Sequence, residues 1–598
     1  MRFKTLAEYF HKIENTPSRN EMTEILAELF NKIDASEFDK VLYLLQGRLA
    51  PQYVKIDFGL GEKMVVRAAA EALQLDKKLF FKKYQEMGDV GGAVEFFKKT
   101  IVSMHEREMT ITEVFGKLEE LAKSAGNGSQ ERKLSILAEL IQTLDGLSTR
   151  YVVRIPTNTL RLGFSDMTIL DAFSWMLKGD KSLRPAIQAA YLVRPDLGYI
   201  GVTLKNDGEK GVTHITPTVF TPILMMRAQR VGLIDEVFDK IQDGLIEPKY
   251  DGFRLQVHKK GQEVVLFSRG LDDVTFMYPD IVNGIRNEIM ADEAIIEGEA
   301  IGFDPYSGNF LPFQETVQRK RKYNIDEKAL EIPLRMFVFE LLHCDKKSLL
   351  HEPLHIRLAK LRSITKVTGD IFKDTLILSP QDILKDKEHL ELSFDDALSR
   401  GLEGIMIKKS DGFYQPGARG FNWIKYKRSQ STKIDDTIDC VVMGYDKGKG
   451  KRTNFGIGAF LVGVYNDEKD MFETVAKIGT GLTDDEWREL HRRCSTIQST
   501  HKPALYDVDT LMNVDIWVLP EIIVEIKADE ITRSPTHTAG RVLKESKSGK
   551  AFDVEEPGYA LRFPRLRQFR DDKKPEDATS LSEVKEIFSQ VIIVKSGE

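Results

Sequence analysis

The stretch Glu247-Pro-Lys-Tyr-Asp-Gly-Phe-Arg254, EPKYDGFR, decides how the rest of the chain is read. It sits between two runs of strand character and packs a lysine, an aspartate, a glycine and an arginine into a few positions. One reading is the charged surface of a hairpin. The other makes Lys249 a nucleophile. An amine that attacks phosphorus must first be neutral, whereas a free lysine titrates near 10.4, so its site must supply desolvation or neighbouring cations. Arg254 lies five positions on, and WIKYK (Trp423–Lys427) places Lys425 and Lys427 on one face of a strand. In isolation the KxDGxR pattern fits either reading.

Working outward, the 598 residues allow three or four domains at about 150 residues each. No apolar run reaches the ~18 residues of a membrane span, and MRFKTLAEYFHKIEN is too polar for a signal peptide, which points to an intracellular protein without membrane contact. Cys344, Cys440 and Cys494 lie far apart with no CxxC pair, which excludes a disulfide framework and a four-cysteine zinc site. The net charge of −6 argues mildly against a chain positive everywhere, but phosphate binding needs only local basic surface.

From Met1 to about Gly208 the periodicity is helical, with starts at Ser18 and the Asn127–Ser129 turn and breaks at Gly88, Gly91 and Gly92. Two basic stretches there, Lys77–Tyr84 and Arg150–Phe164, read as solvated helix faces or as surface that tracks phosphates. After THITPTVFTPILMM the texture turns to α+β: FRLQVHK and EVVLFSR flank the turn KKGQ, AIIEGEAIGF and LRMFVFELL read as strands, and HIRLAKLRSITKV as a helix. A polar segment, Ser429–Asp436, precedes short strands (IDCVVMGYD, GAFLVGVYN, ETVAKIG, EIIVEIKA) and a terminal helix, LSEVKEIFSQ, which suits a small barrel of the oligonucleotide-binding type.

Seven motifs occur in one order: KYDGFR, SRG (Ser268–Gly270), EGEA (Glu297–Ala300), MFVFELL around Phe339, EGIMIK (Glu403–Lys408), WIKYK and, near the end, LRFPRLRQFRDDK. In this succession the chain resembles the covalent nucleotidyltransferases, and most closely the three-domain, archaeal-type ATP-dependent DNA ligases. The resemblance implies an all-α DNA-binding domain (1–215), an α+β adenylation domain (216–429) and an OB-fold β-barrel with a C-terminal helix (430–598). It implies that Lys249 takes AMP from ATP, passes it to the 5′-phosphate of a nick in duplex DNA, and leaves the 3′-hydroxyl to seal the backbone.

The same resemblance assigns Glu247 to the adenine, Arg254 and Arg269 to ribose or phosphate, Phe339 to a stack on the base, and Arg419 to the nucleotide. Lys425 and Lys427 would hold phosphates, Glu299 and Glu403 would bind Mg²⁺ (with Mn²⁺ able to stand in), and Glu299 would also approach the ribose. Arg570 and Lys573, within the cluster Arg562, Arg565, Arg567, Arg570, Lys573 and Lys574, would orient pyrophosphate. Nicked DNA is the implied partner, with a sliding clamp as a further candidate, a monomer as the working form, and the nucleoid, with replication, repair and recombination, as the setting. The barrel would swing about Ser429–Asp436 between steps. Pro248, Glu340 and His343–Cys344 depart from the family's usual text without removing a charged or stacking participant, and leave ATP against ADP or GTP open. An RNA ligase, a capping-type guanylyltransferase and a non-catalytic DNA clamp are the alternatives. The missing four-cysteine site disfavours an NAD-dependent ligase.

Overall fold

The computed structural model describes all residues except 17, 101–105, 158, 161, 232–233, 307, 312, 322, 401, 428–436, 449–454, 546–551 and 597–598. The expected hinge, Ser429–Asp436, therefore falls outside the described residues. The chain divides into two compact units, Met1–Lys82 with Val90–Arg428, and Lys83–Asp89 with Ser429–Glu598. Among the described residues no helix is long and apolar enough to cross a membrane.

The N-terminal part is helical from Phe3–Glu14 to Leu197–Thr213. Its stops and starts follow local chemistry. The Ser18 hydroxyl accepts from the Glu21 amide to open Arg19–Lys32, and Thr110 with Glu113 forms a capping box for Ile111–Lys123. Gly208 is a kink, and the helix runs on beyond it to Thr213. Gly91 and Gly92, expected as breaks, lie inside the helix Val90–Thr100. The reason is packing: a Cβ on Gly91 would collide with the Arg150 carbonyl of the helix Gly146–Arg154, so glycine here permits close helix contact. Of the two basic stretches, Lys77–Tyr84 does fall in a helix, Lys77–Met87, whereas Arg150–Phe164 leaves its helix after Arg154.

Two sheets follow. One joins β1 (Arg227–Arg230), β2 (Gly244–Lys249), β9 (Asp382–Ile383), β10 (Gly404–Lys409) and β11 (Arg419–Lys427) in the order β1-β11-β10-β2-β9. The other joins β3 (Phe253–Lys260), β4 (Glu263–Ser268), β5 (Glu293–Gly302), β6 (Leu334–Cys344) and β7 (Lys347–Ser348) in the order β4-β3-β5-β6-β7, with β8 (Leu376–Leu378) on β6. Leu255, Val257, Leu266, Ile296, Met336 and Val338 bury one face of this second sheet against the helices Pro279–Glu288 and Leu354–Ile364. The chain passes from the first sheet to the second through Tyr250-Asp251-Gly252. A Cβ on Gly252 would strike the Ala300 carbonyl, which is why the opening motif needs its glycine.

The second unit is strand-rich. β12 (Ile438–Lys447), β13 (Ile457–Asn466) and β14 (Met471–Ile478) form its antiparallel centre, and β12 also pairs with the strand Ile523–Lys527, which in turn pairs with Arg565–Phe569. A helix that the strand pattern gave no notice of, Asp484–Ser495, opens on a Thr483/Glu486 capping box and packs Trp487 and Leu490 into the core beside Phe460 and Val462.

Candidate active site

In an antiparallel sheet directly opposed residues project to the same face. On β10 Gly404 opposes both Lys249 of β2 and Lys427 of β11, Met406 opposes Glu247 and Lys425, and Lys408 opposes Leu245 and Trp423. One face of the first sheet therefore carries Glu247, Lys249, Lys408, Trp423, Lys425 and Lys427. Gly404 keeps its row narrow: its φ is +138°, and a Cβ there would collide with the Tyr426 carbonyl.

The Lys249 ammonium donates to Glu403, and Lys427 Nζ donates to the other carboxylate oxygen at 2.8 Å. All three side chains are largely covered. Burial pushes the Glu403 carboxyl up, yet the two ammonium groups outweigh it and hold the group below the usual carboxylate range.

The second sheet contributes Arg254, which opposes Glu299 on β5. Arg254 is fixed from behind, donating to the Met226 carbonyl and to Glu297, each at 2.7 Å. Its guanidinium lies 5.6 Å from the Phe339 ring centre and 5.2 Å from that of Trp423. Glu297 is sealed from solvent and accepts also from Gln256 Nε2 and the Tyr414 hydroxyl, both at 2.9 Å. Glu299 has no such anchor among these contacts. Burial pushes its carboxyl up to about 7, with the charges of Glu403 and Asp251 adding to the rise and those of Lys249 and Arg254 opposing it.

Phe339, half-buried on β6, meets Trp423 edge-on at 6.0 Å. Behind them Glu247 is only 2% exposed and pairs with the equally buried Lys408 at 2.7 Å, while Gln381 Nε2 donates to its other oxygen at 2.8 Å. Lys408 Nζ lies 4.5 Å from the Phe339 ring centre and 4.6 Å from that of Trp423. Glu340, one of the departures from the family's text, is held by Arg357 through two 2.8 Å hydrogen bonds with both side chains fully buried.

Not every expected residue joins this cluster. Arg269 is exposed on the turn after β4 and has no ion-pair partner among the described residues. Arg419 opens β11 opposite Arg227, and its side chain lies outside the described set. Arg570 and Lys573 belong to the second unit, where both engage Asp439, at 3.2 and 2.6 Å, and Arg570 also engages Asp572 at 2.7 Å. Sequence reading missed Lys408, Glu297 and Gln381. The first two were visible as the outer residues of EGIMIK and EGEA, Glu297 two positions from the assigned Glu299; Gln381 carried no signal.

Three comparisons bear on these observations. Residues 2–174 match the family model of the DNA ligase N terminus, 225–427 that of the ATP dependent DNA ligase domain, and 453–573 that of the ATP dependent DNA ligase C terminal region. A probable DNA ligase of Dictyoglomus thermophilum is 43% identical over 589 residues, covering 98% of this chain and 97% of its own length. The DNA ligase 2 of Thermofilum pendens is 37% identical over 98% of this chain and 97% of its own, and the DNA ligase of Saccharolobus solfataricus 36% identical over 99% and 98%. Among solved structures, Pmar-Lig_PreS3 aligns with a TM-score of 0.54 at 16% identity, covering 94% of this chain and 99% of its own, a likeness of fold.

Proposed function

The chain belongs to the ATP-dependent DNA ligase family, and from that premise we propose how its residues divide the work. The activity is that of an enzyme that seals nicks in duplex DNA with ATP through a lysyl-AMP intermediate. Relatives named as DNA ligases over nearly the full length speak for this reading and against the RNA ligase and capping alternatives.

Lys249 is the nucleophile. Its amine must leave Glu403 and give up a proton. The nitrogen then bonds to the α-phosphorus of ATP while the bond from that phosphorus to pyrophosphate breaks. AMP next moves to the 5′-phosphate of the nick, and the 3′-hydroxyl then attacks that phosphorus and expels AMP. Each displacement gathers charge on phosphate oxygens, and Lys427, in the row of Lys249, and Lys425, one row on along the same face, neutralise it. Phe339 stacks on adenine, Glu247 accepts from its exocyclic amine, and Arg254, held by Glu297, meets ribose or phosphate. Arg269 and Arg419 complete the nucleotide contacts. Arg570 and Lys573 serve the first step, in which pyrophosphate leaves.

Glu299 and Glu403 fit a magnesium ion. They supply two hard oxygen donors whose mutual repulsion helps keep Glu299 near neutrality, and a divalent cation relieves that repulsion. Among the described residues no group of three or more acidic, histidine or cysteine side chains could hold a metal ion, so Mg²⁺ would take its remaining ligands from phosphate and water. When bound, Mg²⁺ supplies charge neutralisation at the phosphates; Mn²⁺ satisfies the same donors.

We place the domain boundaries at 215/216 and 429/430, which the matched segments 2–174, 225–427 and 453–573 support. The enzyme acts as a monomer on DNA at the nucleoid, with a sliding clamp as the partner to test by co-purification. The observation that carries the assignment is the row Lys249, Glu403 and Lys427. Its test is nick sealing: wild-type protein seals a nicked duplex with ATP and Lys249→Ala does not, whereas sealing by the variant would overturn the assignment.

A further inference from the structure

Lys408 and Glu247 form a sealed ion pair beneath the rings of Phe339 and Trp423, each side chain 2% exposed and 2.7 Å apart. Lys408 Nζ donates also to the Phe339 carbonyl at 3.2 Å and sits against the rings of Phe339 and Trp423. Sealing two opposite charges costs desolvation that mutual attraction only partly offsets, so a plain stability role would be served as well by two apolar side chains. One member of the pair, Glu247, is the group proposed to read the base. We propose that Lys408 is a specificity-determining residue: by pinning Glu247 as a carboxylate it makes that side chain an obligate acceptor, and so selects ATP over purine triphosphates that carry a 6-keto group.

The chemistry follows from donor and acceptor counts. An ionised carboxylate only accepts, whereas a protonated one also donates. Adenine offers an amine at its 6-position, a donor that a carboxylate satisfies. Guanine and hypoxanthine offer an oxygen there, whose lone pairs would face those of Glu247. Besides Lys408, the main influences on Glu247 are its burial, which pushes the carboxyl up, the neutral Gln381 Nε2, and the like charge of Glu340, much of which Arg357 neutralises. Without the Lys408 ammonium, burial favours the protonated form of this group, whose O–H can donate to a 6-keto oxygen. The apolar part of Lys408 fills the space under the two rings, so Lys408→Met keeps most of the packing while removing the charge.

The proposal rests on the reading of Lys249 as nucleophile and Glu247 as base reader, and its test separates the two. Full-length wild type, Lys408→Met, Lys408→Arg and Glu247→Gln are incubated with α-labelled ATP, GTP or ITP, and the covalent label on protein is followed as kcat and KM for each nucleotide, with folding checked by thermal melting. Lys408→Met is expected to raise the KM for ATP more than it lowers kcat, and to lower the ATP-to-GTP and ATP-to-ITP ratios of kcat/KM by at least about tenfold. Lys408→Arg keeps the charge and should stay closer to the wild-type ratio. A folded Lys408→Met that keeps the wild-type ratios overturns the proposal, because a purely structural pair would change yield and melting temperature but not base preference. Should Lys408→Met fail to fold, Glu247→Gln carries the test: its amide offers a donor that the carboxylate lacks, so the ratios must fall, and unchanged ratios overturn the proposal. A wild type that takes no label from ATP overturns the underlying reading and this proposal with it.

Discussion

The charges of the proposed nucleotide site and those of the last basic motif differ in how far they are closed off from solvent. In the first, Glu247–Lys408, Glu297–Arg254 and Glu340–Arg357 are buried pairs with little or no solvent access, each with further hydrogen bonds around it. In the second, Arg570 and Lys573 share the buried Asp439, and Arg570 also reaches the largely covered Glu525 and the largely exposed Asp572. A buried pair is preorganised and costly to break, so it fixes geometry. The Arg570–Asp572 pair, whose acid is largely exposed, is weak and exchangeable, so that acid can yield to phosphates. The contrast matches the division of labour proposed here, in which one region holds the base in a set frame and the other engages pyrophosphate only in passing.

Three changes would break or sharpen that contrast. The largest effect is expected from Glu403→Ala, which strips Lys249 and Lys427 of their shared partner and removes a proposed metal donor. Self-adenylation measured with α-labelled ATP should fall on the order of 10²-fold or more, and near-normal labelling would show that the row is structural only. Next is Arg570→Ala. Self-adenylation should slow by roughly tenfold, the worth of one charged contact, while sealing of a nick that already carries AMP proceeds at the wild-type rate. Equal loss in both assays would move Arg570 out of the pyrophosphate step.

The smallest effect concerns Glu299. Its folded carboxyl titrates near 7 and its unfolded one near 4.5, so the fold prefers the protonated form. The resulting penalty is absent below about pH 4.5, grows between 4.5 and 7, and is complete above 7. Glu299→Gln without added Mg²⁺ should therefore raise the melting temperature by a few degrees at pH 8, and much less at pH 5. A stabilisation independent of pH would contradict the burial argument.

How much of this was legible in the sequence depended on the kind of signal. Alternation put Lys425 and Lys427 on one strand face, and β11 keeps them there. The ordered motifs brought Lys249, Glu247, Arg254, Glu299, Phe339 and Glu403 into consideration, and the two sheets supply the registers on which all six lie or border. What periodicity could not convey was pairing between distant strands. Lys408 is the last letter of a strand motif until β10 is laid beside β2, where it becomes the counter-charge of Glu247. Gly91 read as a break because a string of letters does not show the neighbouring helix whose backbone leaves room for hydrogen alone. Glu340 read as a departure because its partner, Arg357, lies 17 residues away on a helix.

The account stands most directly on a covalent bond at one nitrogen. Full-length protein is first treated with pyrophosphate to strip any bound AMP, then incubated with ATP and divalent cation, digested and mapped by mass spectrometry. The account predicts an AMP adduct on the peptide bearing Lys249, at that side chain, discharged when nicked duplex is added before digestion. An adduct on another residue, or none on stripped protein that remains folded, would contradict it.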